Sequence, residues 1–147
     1  MDFRALFPKG SKPASPIEPL RPGQPFPLRL QADAASGKPI AVAILSLYCS
    51  HCIEMLPELV AAVDRHRIPF VLVSNGSYQE NENIAAYFKA PFPIVSVAEE
   101  EIQSVYRVAQ TPYFYLVQPE GIVADSFAAE SGQEMADRWL RFGASRV

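Results

Sequence analysis

The sequence predicts an α/β domain with a mixed central β-sheet flanked by helices on both faces, preceded by an extended proline-rich segment. Three observations carry this. Two short apolar runs rich in β-branched residues, Ile40 to Leu47 and Pro69 to Val73, are separated by a stretch with helical spacing, the pattern of a parallel crossover unit. Two later runs, Tyr113 to Val117 and Ile122 to Phe127, are joined through Pro119-Glu120-Gly121, the pattern of an antiparallel hairpin. Half of the 14 prolines fall within the first 27 residues. A length of 147 residues, 49% of them hydrophobic and 20% charged, suits one core that needs neither disulfide nor metal to stay folded. We expect a lead-in over residues 1–23 and a single domain over residues 24–147.

In chain order, Pro8, Pro13, Pro16, Pro19, Pro22, Pro25 and Pro27 remove backbone donors and forbid helix, so Met1 to Gly23 reads as extended. Phe26, Leu28 and Leu30 alternate with Pro27, Arg29 and Gln31, which predicts a short first strand. Gly37-Lys38-Pro39 is a turn, and Ile40 to Leu47 is then a strand buried on both faces. From Ser50 onward Met55, Leu56, Leu59, Val60 and Val63 line one side of a helix, with Glu54, Glu58, Asp64, Arg65 and Arg67 outside it. Pro57, inside that helix, predicts a kink. Pro69 to Val73 is the next buried strand, ended by the turn signal Ser74-Asn75-Gly76. A helix over Gln79 to Lys89 stops at Pro91-Phe92-Pro93; a short strand over Ile94 to Val97 and a short acidic helix over Ala98 to Tyr106 follow. After the hairpin, Ser131 to Phe142 closes the chain as a helix with Met135, Trp139 and Phe142 on one side.

Charge excludes some function classes. The net charge is −3, and the 13 basic residues are scattered singly or in pairs, so no surface is built to track a phosphate backbone and nucleic acid is not an expected partner. No apolar run approaches the ~18 residues that span a bilayer, and Met1 to Gly10 lacks the basic start and apolar stretch of a secretory signal.

The only two cysteines stand in Tyr48-Cys49-Ser50-His51-Cys52. A bridge across two intervening residues closes almost no loop in the unfolded chain, so stability is a poor reason for the pair. Position is a better one. Cys49 lies at a strand-to-helix junction, where unpaired N–H groups and the positive end of the helix dipole favour thiolate. Residues three apart on a first helical turn bring their sulfurs within bonding distance, so Cys52 can resolve a mixed disulfide formed at Cys49. Between them, Ser50 and His51 are placed to tune the couple: an imidazolium beside the thiolate stabilises the reduced form and makes the couple more oxidising. His66, beside Arg65 and Arg67, reads as a helix-end cation, and Glu99 to Glu101 as a solvated face.

The motif Cys49-Ser50-His51-Cys52 after a buried strand, Pro57 five residues beyond the second cysteine and Thr111-Pro112 before the final hairpin together resemble the thioredoxin-like superfamily. The resemblance covers about Pro25 to Phe142. Arg21 to Leu28 is similar to the opening of TlpA/ResA-type extracytoplasmic thiol–disulfide oxidoreductases. Val73 to Gly76, Pro93 to Ser96 and Tyr106 to Tyr113 are similar to segments of MauD-type accessory proteins. This likeness implies that Cys49 is the attacking nucleophile, Cys52 the resolving thiol and Pro112 a cis-proline. Tyr48, Thr111 and Pro112 would then contact the substrate chain, Thr111 by pairing its backbone with an extended segment. Three positions depart from the pattern: Tyr48 stands where thioredoxins carry Trp, Ala43 where they carry a buried Asp, and Met55 where TlpA/ResA-type proteins commonly carry Glu, with Glu54 one place away.

The resulting expectation is a thiol–disulfide oxidoreductase, without bound cofactor or metal, acting as a monomer on a protein thiol or disulfide and served by an upstream redox partner, in a dedicated maturation pathway. Zinc would need four ligands, and His51 and His66 are the only histidines. Direction stays open, since His51 favours an oxidant or isomerase and the family likeness a reductase. A redox-inactive thioredoxin-like binding or scaffolding module is the alternative. A peroxiredoxin-like peroxidase is a minor one: Ser46 fits its pattern, but Val42 stands where that pattern has proline. The lead-in resembles the stalk that follows a membrane anchor in this family. We therefore expect an extracytoplasmic location, periplasmic or on the cell-surface side, with a leader preceding the given sequence; a cytoplasmic one would follow if that sequence is complete.

Overall fold

β-branched runs buried on both sides need a layer on each face, and the computed structural model, which describes residues 17–27 and 38–145, supplies two. The elements run β1 (Ile40–Leu45), α1 (Ser50–His66), β2 (Phe70–Ser74), α2 (Tyr78–Phe88), β3 (Ile94–Ser96), α3 (Glu99–Ser104), β4 (Tyr113–Val117), β5 (Val123–Phe127) and α4 (Gly132–Ser145). The five strands form one sheet in the order β3-β2-β1-β4-β5. β1 pairs with β2, and β2 with β3, in parallel, as crossover connections through α1 and α2 require. β4 pairs antiparallel with both β1 and β5. The sheet is mixed, as expected, and every residue of the central β1 is buried.

The period of two along β1 divides the core. Ala41, Ala43 and Leu45 face a cluster with Met55, Leu56, Leu59 and Val63 of α1 and with Met135 and Ala136 of α4. Ile40, Val42 and Ile44 face a second cluster with Val71, Val73, Tyr115, Ile102, Tyr106 and Phe26. The two alanines on the α1 side leave room for that helix to lie close to the sheet. Ile84 and Phe88 of α2 pack at the margin of the first cluster. α3 and the segment around Phe26 cover the opposite face.

The expected kink at Pro57 does not end α1, which continues through it. Pro57 is exposed, so the carbonyl that its missing donor leaves unpaired lies on the wet side of the helix. α1 stops at Arg67, whose left-handed φ of 52° lets its N–H close on the Val63 carbonyl. α2 begins in a capping box: Ser77 Oγ accepts from Glu80 N–H (3.1 Å) and Glu80 Oε1 from Ser77 N–H (2.8 Å). α4 starts against α1, where Glu58 Oε1 accepts the Gly132 N–H at 2.9 Å. A Cβ on Gly132 would sit 2.5 Å from the Glu58 carbonyl oxygen, so the approach needs glycine.

Residues 23–26 lie antiparallel along the start of β5. Gly23 N–H donates to Val123 O (2.9 Å), Val123 N–H to Gln24 O (2.8 Å) and Phe26 N–H to Gly121 O (2.8 Å). Contacts with the domain begin upstream of residue 24, since Leu20 packs on the second cluster and its N–H donates to Tyr115 Oη at 3.1 Å. Residues 1–16 of the expected lead-in, and Leu28 and Leu30 of the expected first strand, lie outside the described residues. Among the described residues no helix is long and apolar enough to cross a membrane.

Candidate active site

β1 ends at Leu45, and a short turn brings Cys49 to the N-cap of α1. Cys49 keeps extended dihedrals (φ −105°, ψ 109°), and its Sγ accepts the Cys52 N–H at 3.2 Å, where a capping Ser or Asp would offer oxygen. The sulfur thus lies where the first turn presents unsatisfied donors. Its own N–H donates to Ser46 O at 3.1 Å, which closes the turn. Cys49 is half-buried and Cys52 wholly buried, at 0% exposure, in the cluster beneath α1.

The two thiols are driven apart in acidity. Desolvation works to raise the Cys49 pKa. Hydrogen bonds from the Cys52 thiol and backbone N–H, from the Thr111 side chain and from the His51 N–H outweigh it, and the thiol falls below its ordinary 9.0. Cys52 is pushed up to about 11, first by burial and then by its hydrogen bond to Cys49. The half-buried Cys49 therefore gives up its proton more readily than an ordinary thiol, while Cys52 beneath it holds its own more tightly. Protonated Cys49 donates to Thr111 O, at a sulfur–oxygen distance of 3.7 Å. The Thr111-Pro112 peptide bond is cis, and Pro112 is buried.

The chain matches a thioredoxin domain of a thiol-disulfide oxidoreductase from Bacteroides vulgatus with a TM-score of 0.61 at 17% identity, covering 87% of this chain and 97% of that one. It matches a thiol:disulfide interchange protein of the thioredoxin family from Chlorobium tepidum with a TM-score of 0.59 at 15% identity, covering 83% and 92%. A secreted disulfide oxidoreductase from Mycobacterium tuberculosis, homologous to Escherichia coli DsbE, matches with 0.58 at 18% identity, covering 80% and 92%. The fold is thioredoxin-like. No protein-family model matches the chain, and no curated protein matches it.

Within this thioredoxin-like frame the structure brings Cys49, Cys52, Thr111 and Pro112 together, although Thr111 lies 62 positions beyond Cys49 in the chain. His51 is exposed and shares a cleft with Thr111 and Pro112. Ser50 is exposed at the start of α1, and Tyr48 projects beside Cys49 with 81% of its surface free. Tyr113 and Tyr115 pack as strand residues, edge to face at 5.6 Å. The departures have physical readings. Ala43 is buried in the cluster that also holds Cys52, leaving no carboxylate at that position. Met55 is buried at 2% exposure while Glu54 points outward, so the shift of one residue turns the acid away from the sulfurs. Among the described residues no three of His, Cys, Asp and Glu converge to hold a metal ion.

Sequence reasoning missed Asn75, which it took only as a turn residue. Asn75 Oδ1 accepts the Leu47 N–H at 2.8 Å and its Nδ2 donates to Ser46 Oγ at 3.1 Å. Ser46 Oγ in turn accepts the Tyr48 N–H at 3.1 Å. One amide side chain therefore ties down Ser46 and Leu47, the first half of the turn that delivers Cys49. The signal lies in register: Leu45 pairs with Ser74, so the next residues of the two parallel strands, Ser46 and Asn75, emerge side by side at the sheet's carboxyl edge.

Proposed function

We propose that the protein is a thiol–disulfide oxidoreductase that exchanges disulfides with a protein partner through Cys49 and Cys52. The observation that carries this reading is the acidity split: a half-exposed Cys49 capping α1 with its pKa lowered, directly above a buried Cys52 with its pKa raised to about 11. In the reducing direction the Cys49 thiolate attacks one sulfur of a substrate disulfide. A Cys49–substrate disulfide forms and the other substrate sulfur leaves as thiolate. The Cys52 sulfur then attacks Cys49, its proton passing to the second departing substrate sulfur. The substrate has gained two electrons and the pair is oxidised to a disulfide. The oxidising direction is the reverse. An upstream dithiol or disulfide partner restores the pair, and no bound cofactor enters.

Tyr48, Thr111 and Pro112 form the surface on which the partner's reacting segment lies, and Ser50 and His51 tune the couple. Among the thioredoxin-like structures that resemble this chain is a secreted disulfide oxidoreductase, which supports an extracytoplasmic site of action; the local likeness to MauD-type accessory proteins is what favours a dedicated maturation pathway. A monomer suffices, since both sulfurs and Thr111 come from one chain. Cys52→Ser is expected to accumulate a stable mixed disulfide through Cys49, readable by intact mass, while Cys49→Ser exchanges nothing. A wild-type protein that does not exchange with glutathione disulfide, and a Cys49 of ordinary acidity, would leave a redox-inactive binding module as the reading. The reduction potential gives direction, with about −120 mV marking a strong oxidant and about −270 mV a reductant.

A further inference from the structure

Beside Cys49 lies a cleft of about 390 Å³, lined by His51, Thr111 and Pro112 at the sulfur end and by Ile17, Pro19 and Arg107 away from it. Part of its lining comes from the lead-in, which is tied in place. Leu20 N–H donates to Tyr115 Oη, Tyr115 Oη donates to Tyr106 O at 2.6 Å, and Arg107 Nε donates to Glu18 O at 3.3 Å. Arg107 adopts a left-handed φ of 56°, which residues other than glycine rarely take, and its exposed side chain reaches back along the lead-in. Among the described residues no carboxylate pairs with its guanidinium; the ion pair they contain is Arg138 with Asp125. Glu130 lines the same cleft without pairing with Arg107, so the two charges stand apart. Ala109, Ala128 and Ala129 are small apolar members of the lining, the first two exposed and the third buried.

We propose that Ile17, Pro19 and Arg107 form a selective wall of the docking groove, which takes an extended partner segment carrying an acidic side chain close to its reacting cysteine. Charge complementarity to an arginine that has no carboxylate partner among the described residues favours that occupant, and the alanines of the lining accept the neighbouring side chains. The inference rests on the thiol–disulfide reading.

The test uses two synthetic peptides of one length, each with a single cysteine activated as its 2-thiopyridyl disulfide and flanked by either two Asp or two Lys. Attack by Cys49 joins the peptide to the protein and releases pyridine-2-thione, whose absorbance gives the rate. The ratio of Asp to Lys rates cancels any change in thiol reactivity. It is expected to be about three-fold or more at low salt and to fall toward one at about 0.5 M salt. Arg107→Gln should bring the ratio near one and Arg107→Lys should keep most of it. Ile17→Glu should lower the ratio and Ile17→Lys raise it. A wild-type ratio of one or below, or a ratio that none of these substitutions moves, overturns the proposal. Wild-type reaction with the neutral bis(2-hydroxyethyl) disulfide separates the causes: if it proceeds, only the groove assignment fails, and if it does not, the redox reading fails with it.

Discussion

Cys49 and Cys52 are chemically alike and three residues apart, yet their surroundings oppose each other. Alkylation rate against pH should show this directly. Cys49 is expected to titrate below 9.0 and to be the only site labelled at neutral pH, with Cys52 unreactive until pH nears about 11. Equal labelling of the two at pH 7 would contradict the assignment of roles. Asn75 acts one step back, by holding the turn that aims Cys49. Asn75→Ala leaves the Leu47 N–H and Ser46 Oγ without these partners. It should cost about 1–3 kcal/mol of stability and let the Cys49 titration drift up toward its ordinary value. Asn75→Asp keeps an acceptor for Leu47 N–H and should recover part of both effects. Chemical denaturation and the alkylation profile of the two variants check the pair.

At the level of elements, α1 carries the site and α4 braces it. The carbonyl of Glu58 and its carboxylate both meet Gly132, so the first turn of α4 is locked to the middle of α1. Gly132→Ala forces a Cβ into the Glu58 backbone, and the helices must part. We expect a loss of about 1–3 kcal/mol in urea or thermal unfolding. An unchanged midpoint would mean that the two helices are not in contact there. Most elements were legible in the sequence because each has a local cause. The continuous apolar run along Ile40 to Leu45, the proline punctuation at Pro91 and Pro93, and the glycine turn at Gly121 all act within a few residues. The ends were less legible. β1 stops at Leu45 rather than Leu47, because Ser46 and Leu47 bond to Asn75 instead of continuing the ladder.

Over the whole molecule, the redox state couples to stability through protons. The folded reduced protein holds the Cys52 proton more tightly than the unfolded chain does. That contribution is fully present below about pH 9 and is lost as pH rises through about 11. Cys49 works in the opposite sense: its contribution is present above 9.0 and is lost as pH falls through its lowered folded value. Tyr115, pushed up to about 12 chiefly by burial, titrates in both redox forms and drops out of their difference. Thermal unfolding of reduced and oxidised protein should therefore show the reduced form losing ground to the oxidised one between pH 9 and about 11. A gap that stays constant over that range would mean that Cys52 is not held protonated by the fold.

The mixed sheet, the order of its elements and the position of Cys49 at the head of a helix could all be read from the chain before it is folded. Each of these follows from hydrophobic period, turn residues and capping, which operate over short stretches of chain. The family likeness added Thr111-Pro112 as a neighbour of the sulfurs. It took the packed fold to set the two acidities moving in opposite directions, to clamp the turn before Cys49 with Asn75, and to bring Ile17, Pro19 and Arg107 to the border of the cleft beside it. Those facts depend on burial and on contacts between residues far apart in sequence. Tyr115, for example, joins Leu20 to Tyr106 with one hydroxyl group. No local pattern encodes such a bond, because its partners are chosen by the packing of the sheet against its second face.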